Sequence, residues 1–228
     1  LTQSDRGVTI FIASTLNMGE EEVSTGLKAN YSKDDRLWKT KFSFSDFNPS
    51  QFQFISKNLE NLAYLNATLS GTFATSFEKL SDIKKIEFEL FCPEGSVTFN
   101  DQSMFFGEHQ VENLYMAGYF NNQKPSIFLE TFEGTIDDSQ INGNASLTNL
   151  YSNPHINASL EAHQIPIDQL STLWPQNLAK GTRTWVLENI SGGTLEAITA
   201  YLDFSVGDLE RDNLERNQIF GTFRVNDT

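Results

Sequence analysis

The strongest constraint in this sequence is a period of two. In LNATLSGTF, Leu65, Ala67, Leu69, Gly71 and Phe73 fall on one side of an extended chain, and Asn66, Thr68, Ser70 and Thr72 on the other. INGNASL repeats the pattern, with Ile141, Gly143, Ala145 and Leu147 opposing Asn142, Asn144 and Ser146. In INASLEA, Ile156, Ala158, Leu160 and Ala162 oppose Asn157, Ser159 and Glu161. WKTKFSF, IEFEL, NLYMAGYF, SIFLETF, TLEAITAYLDFSV and IFGTFRV carry it along the chain, separated by turn-like NNQKP and EGTIDDSQ. Successive side chains of a strand point to opposite faces, so the alternation specifies a mostly antiparallel sheet with one apolar and one wet face. The chain begins and ends in such sequence, at residues 8–14 and 219–225, and reads as a piece of a longer protein.

Two stretches break the period. In residues 48–62, NPSQFQFISKNLENL, Asn48 can cap a helix, Pro49 suits its first turn and Gln51 has capping-box spacing. Phe52, Ile55, Leu59 and Leu62 then share one helical face. In the second, Asp168 caps a short turn through Leu173, Pro175 interrupts, and a helix from about Leu178 to Ile190 ends at Gly192 and Gly193. Trp174 and Trp185 read as anchors that bury this helix on the apolar face, and Phe52 and Leu59 serve the first helix likewise. Arg183 reads as a solvated or strand-end pairing group. Pro49 and Pro166 occupy comparable places about 117 residues apart, as do Phe52 and Leu170 with a one-residue offset. The expectation is one elongated segment over residues 1–228, with weak modules at about 1–160 and 161–228.

Roughly ten strands with one apolar face each exceed what two amphipathic helices can cover. Three resolutions are open: a sheet folded on itself as a sandwich or barrel, pairing with more of the parent chain, or a trough holding an apolar ligand. The expected fold is mainly β, an elongated, curved and twisted, mostly antiparallel sheet forming a groove or half-closed barrel with two short helices; the alternative is a closed β-sandwich. Groove-lining candidates are Leu65, Leu69, Phe73, Phe88, Leu147 and Leu160.

Charge and chemistry narrow the function. Thirty acidic against 16 basic residues give a net charge of −14, which argues against nucleic acid and disfavours adsorption to an anionic membrane surface. Cys92 is the single cysteine, so neither an internal disulfide nor a cysteine metal cluster can form. No nucleophile elbow, P-loop, zincin or dinucleotide motif is present. His155 and His163 would lie roughly 26 Å apart on an extended strand and cannot share a metal. Together with His109 they read as surface or strand-end groups. Asp137 and Asp138 belong to a turn, and Asp208, Glu210 and Asp212 form a solvated turn better than a calcium loop. Sequons at Asn30, Asn66, Asn144, Asn157, Asn189 and Asn226 read as wet-face strand residues. The expectation is a non-enzymatic chain without cofactor or metal.

The segment LWPQNLAKGTRTWVLENISGGTLEAITAYLDFSV resembles one found in the AsmA-like family of Gram-negative envelope proteins, in its YhdP/TamB-type branch. The shared features are Trp174-Pro175, Arg183-Thr184-Trp185 and Gly192-Gly193 before a strand. The upstream IPIDQL and the strand rhythm of LSGTFATSFEKLSDIKKIEFELFCPEGSVTF are similar too. The resemblance implies a long periplasmic protein anchored in the inner membrane by an N-terminal helix. Its apolar groove would shield phospholipid acyl chains between inner and outer membranes, and this chain would be a segment of the bridge. Two other functions remain open: a scaffold affecting outer-membrane protein assembly through strand addition, and a carbohydrate-binding sandwich stacking sugars on Trp38, Trp174 or Trp185.

Overall fold

A computed structural model describes residues 2–4, 7–18, 21–53, 57–98, 107–176, 178–210 and 218–225. The alternating runs become strands β1 (Thr2–Ser4), β2 (Gly7–Met18), β3 (Glu21–Ser32), β4 (Leu37–Phe47), β5 (Leu65–Ala67), β6 (Leu69–Phe77) and β7 (Lys85–Thr98). The second half supplies β8 (Glu108–Asn121), β9 (Ser126–Ile136), β10 (Ser139–Thr148), β11 (His155–Pro166), β12 (Thr194–Ser205) and β13 (Ile219–Val225). All 13 belong to one sheet, laid side by side in chain order, except that β5 pairs β7 beside the end of β6. Every pairing is antiparallel.

The sheet is open. Among the described residues β13 pairs only with β12, and β1 only with β2, so the closed sandwich is overturned. The reason lies in the connections, since, β5 apart, each strand returns beside its chain neighbour and, among the described residues, none crosses to a second layer. Asp137 and Asp138, at φ 47° and 69°, make the two-residue turn between β9 and β10, the left-handed pair that a tightly twisted hairpin needs.

Meandering strands give the sheet two long rims. Short turns at residues 33–36, 78–84, 122–125 and 149–154 lie on one rim, here called the turn rim. The other, the helical rim, carries both helical junctions. Just inside it Asp46, Asn113 and Gln164 take left-handed φ of 59°, 51° and 56° at irregularities in β4, β8 and β11. Such bulges bend a strand and increase its local twist. Asp46 and Gln164 each precede a proline that starts a junction, so the two junctions share geometry as well as order.

The junctions differ from the sequence expectation in detail. Residues 48–62 do not form one α-helix but two 3-10 segments, Pro49–Phe52 and Lys57–Tyr64. Asn48 does cap the first, its Oδ1 accepting from Ser50 N at 3.0 Å. The Gln53 amide donates to the Ser50 carbonyl at 2.9 Å, however, so short polar side chains hold the local backbone and compete with helix propagation. Ile55 lies outside the described residues, as does the side chain of Leu59.

In the second junction a 3-10 turn (Ile167–Gln169) leads into α1 (Leu170–Leu173), and α2 spans Lys180–Asn189. Asp168 lies inside the turn and caps nothing. Gly192 and Gly193, with φ of 71° and 84°, reverse the chain after α2 as their lack of Cβ permits. A further helix, α3 (Val206–Glu210), was not foreseen and takes Val206 out of the strand. It begins where the Val206 and Gly207 N–H groups donate to the Pro154 carbonyl and Asn153 Oδ1 at 2.8 and 3.1 Å. Asp208 and Glu210 thus sit on a helix, and Asp212 lies outside the described residues.

Candidate functional site: an uncovered apolar sheet face

Strand register decides which side chains become neighbours. One row runs from β2 to β13 through Ile12, Leu27, Phe42, Phe73, Phe88, Gly118, Leu129, Ala145, Ala158, Leu202 and Ile219. A second row, nearer the helical rim, runs through Phe44, Gly71, Leu90, Met116, Phe132, Gly143, Leu160, Ala200 and Gly221. A third, nearer the turn rim, joins Ile86, Phe120, Ile127, Leu147, Ile156 and Phe204. None of these positions is charged. The opposite face carries Lys28, Lys41, Glu87, Glu89, Asn142 and Asn157.

The rows shield one another only sideways. Ile12, Phe42, Phe73 and Ile127 remain 55, 39, 36 and 38% exposed. Phe44 stacks on Phe73 at 5.8 Å and meets Phe47 edge-on at 5.6 Å, and Phe47 packs against Phe52 at 5.0 Å. An aromatic ladder therefore climbs from the middle of the face to the first helical junction. Glycines lie along the same rows where the neighbouring strand comes close. A Cβ on Gly71, Gly118 or Gly143 would sit 2.4, 1.9 or 2.3 Å from a facing carbonyl oxygen.

The six sequence candidates distribute over this surface. Phe73 and Phe88 are register partners in the first row, Leu160 is in the second and Leu147 in the third. Leu69 pairs with Phe47, and Leu65 with Val97 at the helical rim. All except Phe73 are half-buried. The missing information was the register, which brings residues from eleven strands into single rows.

The second helical junction covers one corner of the face. Ile165 and Leu195, paired across β11 and β12, form a buried cluster with Ile167, Leu170 and Val186. Trp174 packs against this cluster and its indole N–H donates to the Leu178 carbonyl at 2.8 Å. Trp185 is a correction. It is 56% exposed, because Val186, Leu187 and Ile190 turn inward from α2 and the neighbouring position falls outside that stripe. Arg183 is another correction. Its guanidinium donates to the Ser171 carbonyl at 2.7 Å and its Nε to the Trp174 carbonyl at 3.2 Å, holding the C-terminal end of α1 to α2.

A polar cavity of about 410 Å³ lies on the helical rim, lined by Glu108, His109, Glu112, Asp137, Asp138 and Gln169 among others. His109 is no surface residue, being only 2% exposed. Its Nδ1 meets Asp137 Oδ2 at 2.5 Å, and Asp137 Oδ1 accepts from Gln110 N at 2.7 Å. The Asp137 carboxylate thus pins the β9–β10 turn to β8. The long-range partner was invisible in sequence, although the Asp-Asp turn itself was legible. His155 Nε2 meets Asp203 at 2.7 Å and His163 Nε2 meets Glu161 at 3.2 Å, both partly exposed. Among the described residues no group of three or more His, Cys, Asp or Glu has metal-binding geometry.

No protein-family model, curated protein or solved structure matches this chain. Trp38 packs on Tyr31 at 5.2 Å and Trp174 is committed to the helical corner, which leaves Trp185 as the exposed indole. Of the sequons, Asn30, Asn144 and Asn157 lie on wet-face strand positions, Asn189 lies on α2, and Asn226 is outside the described residues. Among the described residues no helix is long and apolar enough to cross a membrane.

Proposed function

We propose that this chain is a non-catalytic, lipid-shielding segment of a bridge-like transport protein of the Gram-negative envelope. Its apolar sheet face covers phospholipid acyl chains as they pass between inner and outer membranes, in a parent protein that is anchored in the inner membrane and works in the periplasm. The observation that carries this reading is the continuity of the apolar rows. The first crosses eleven strands, the second nine and the third six, all without a charge, and α1 and α2 cover only one corner. Contiguous exposed apolar surface of this kind marks a binding surface in a soluble protein. An acyl chain has no hydrogen-bonding needs and matches a row that offers none. The AsmA-like resemblance of residues 173–206 supports the same reading.

The test places a photoreactive residue at Leu69 or Leu160, and at Thr72 or Glu161 on the opposite face as controls. Crosslinks to phospholipid from the first pair alone, with co-purifying lipid in native mass spectra, are expected. Equal labelling of both faces, or no lipid at either, would sink the reading.

One observation favours a second reading, strand addition. β1 pairs only with Gly7, Val8 and Thr9, so residues 10–18 form a charge-free sheet edge in which Phe11, Ile12 and Leu16 are 60, 55 and 48% exposed. An edge of this kind is a template for another strand. Protein crosslinks clustering there, with none on the apolar face, would favour a scaffold role.

A further inference from the structure

The wet face of the sheet is not uniformly charged. Over β3, β4 and β7 it carries Lys28, Lys41, Glu87 and Glu89. Over β10 and β11, register instead sets Ser146 beside Asn157 and Asn144 beside Ser159. These four neighbouring side chains are short and uncharged, and Asn144 and Asn157 are exposed. Among the described residues none of the four is tied up by a side-chain hydrogen bond.

Aromatic rings flank this uncharged floor. On β9, Phe128 is the register partner of Ser146, and on β12, Tyr201 is the partner of Ser159. Phe128 stacks on its other partner, Tyr119 of β8, with centroids 4.7 Å apart and planes 19° from parallel. That separation matches the spacing of neighbouring strands, so the two rings stand on the sheet face to face, and the free face of Phe128 looks across β10. The Lys85 ammonium, 4.2 Å from the Tyr119 ring, steadies the pair from the β7 side. Tyr201 is 50% exposed and lies against Phe220 of β13 at 6.2 Å. From β9 to β12 is three strand spacings, about 14 Å. Long rings on two sides and short side chains between them make a shallow trough.

We propose that this trough is a second binding surface and that its ligand is an uncharged glycan. A pyranose has apolar C–H faces and a rim of hydroxyls, so it needs rings to lie against and groups that both donate and accept hydrogen bonds. Phe128 and Tyr201 supply the rings. Asn144 and Asn157 each offer an amide donor and a carbonyl acceptor, and the hydroxyls of Ser146 and Ser159 do both. An acyl chain has no use for these groups. A peptide strand finds no open edge here, because β10 and β11 are paired on both sides. Glu133, Glu161 and Asp203 border the trough in a chain of net charge −14, which disfavours an anionic polymer. None of the three tryptophans takes part. The trough and the apolar rows lie on opposite faces of the same strands, so this inference is independent of the lipid-shielding reading, and one chain has room for both ligands at once.

The experiment is calorimetric titration of the purified chain with three hexasaccharides: chitohexaose and cellohexaose, which are neutral, and hexagalacturonate, which is anionic. At least one neutral probe is expected to bind, and more tightly than hexagalacturonate. Tyr201→Ala and Asn157→Ala are each expected to weaken that binding about 2- to 10-fold, through loss of a ring contact or a hydrogen bond. Tyr201→Phe, which keeps the ring, and Lys28→Gln, elsewhere on the same face, stay within about twofold. Binding of neither neutral probe, tighter binding of hexagalacturonate, or unchanged affinity in both alanine variants would overturn the glycan assignment. Lipid crosslinking at Leu160, on the other face, is unaffected by any of these results and is read separately.

Discussion

Phe73→Thr separates a ligand surface from an ordinary core. Threonine keeps the β-branched preference of a strand, so the change removes the ring with little penalty to the backbone. Phe73 is 36% exposed in the free protein. A phenylalanine side chain offers about 200 Å² of surface, so about 70 Å² remains for a ligand to cover, and at about 25 cal/mol per Å² this is worth about 1.8 kcal/mol. Converted at 1.36 kcal/mol per decade, loss of the ring weakens phospholipid binding by about 20-fold, an upper figure because threonine recovers some contact. The ring also stacks on Phe44 at 5.8 Å, and the part already buried makes the same substitution cost the free protein about 1.5–3 kcal/mol. Displacement of a fluorescent acyl probe measures the first quantity, and urea unfolding of delipidated protein the second. Thr72→Ser, on the opposite face of the same strand, serves as the control and shifts binding less than about twofold. If Phe73→Thr binds lipid within twofold of the unaltered protein while losing the expected stability, the face is a core awaiting a protein layer and the reasoning fails.

Other consequences can be checked independently. Leu170→Ala, at a position only 2% exposed in the helical corner, should cost about 2–5 kcal/mol by chemical denaturation, and hydrogen exchange should rise first in α1 and α2. Asp137→Ala removes the carboxylate from His109 and Gln110 and strains a left-handed position, for an expected loss of about 2–4 kcal/mol; Asp138→Gly, at a site with φ 69°, should be neutral or slightly stabilising. Burial pushes the Cys92 thiol up, opposed in part by a backbone hydrogen bond with Glu94. A raised folded-state pKa contributes stability that is present below the unfolded pKa and lost as pH rises through the folded one, so unfolding by alkali should be milder in Cys92→Ser or absent. In the native protein maleimide should label Cys92 at least about 100-fold more slowly than in urea.

Sequence alone determined the class of this fold, because a period of two leaves a chain few choices. The runs containing Leu69, Ile141 and Leu160 could bury one face only as strands, and the Asp137-Asp138 and Gly192-Gly193 pairs marked reversals whose φ values the backbone confirms. The two junctions were also legible, each being the place where alternation stops. Local pattern failed where the deciding contact was distant. Residues 48–62 read as one amphipathic helix, yet the Asn48 and Gln53 side chains bond to the Ser50 backbone and leave 3-10 turns. Trp185 read as an anchor because large aromatics usually are, whereas the orientation of α2 is set by Val186 and its neighbours against Ile165 and Leu195. His109 read as a surface group, and only the pairing of β8 with β9 brought Asp137 to it. Tertiary structure also decided between closure and openness. Periodicity assigns a side chain to a face but carries no information on whether a second layer covers that face. Register does, because antiparallel pairing fixed which apolar residues lie abreast, and the strand order left no layer to lie over most of them.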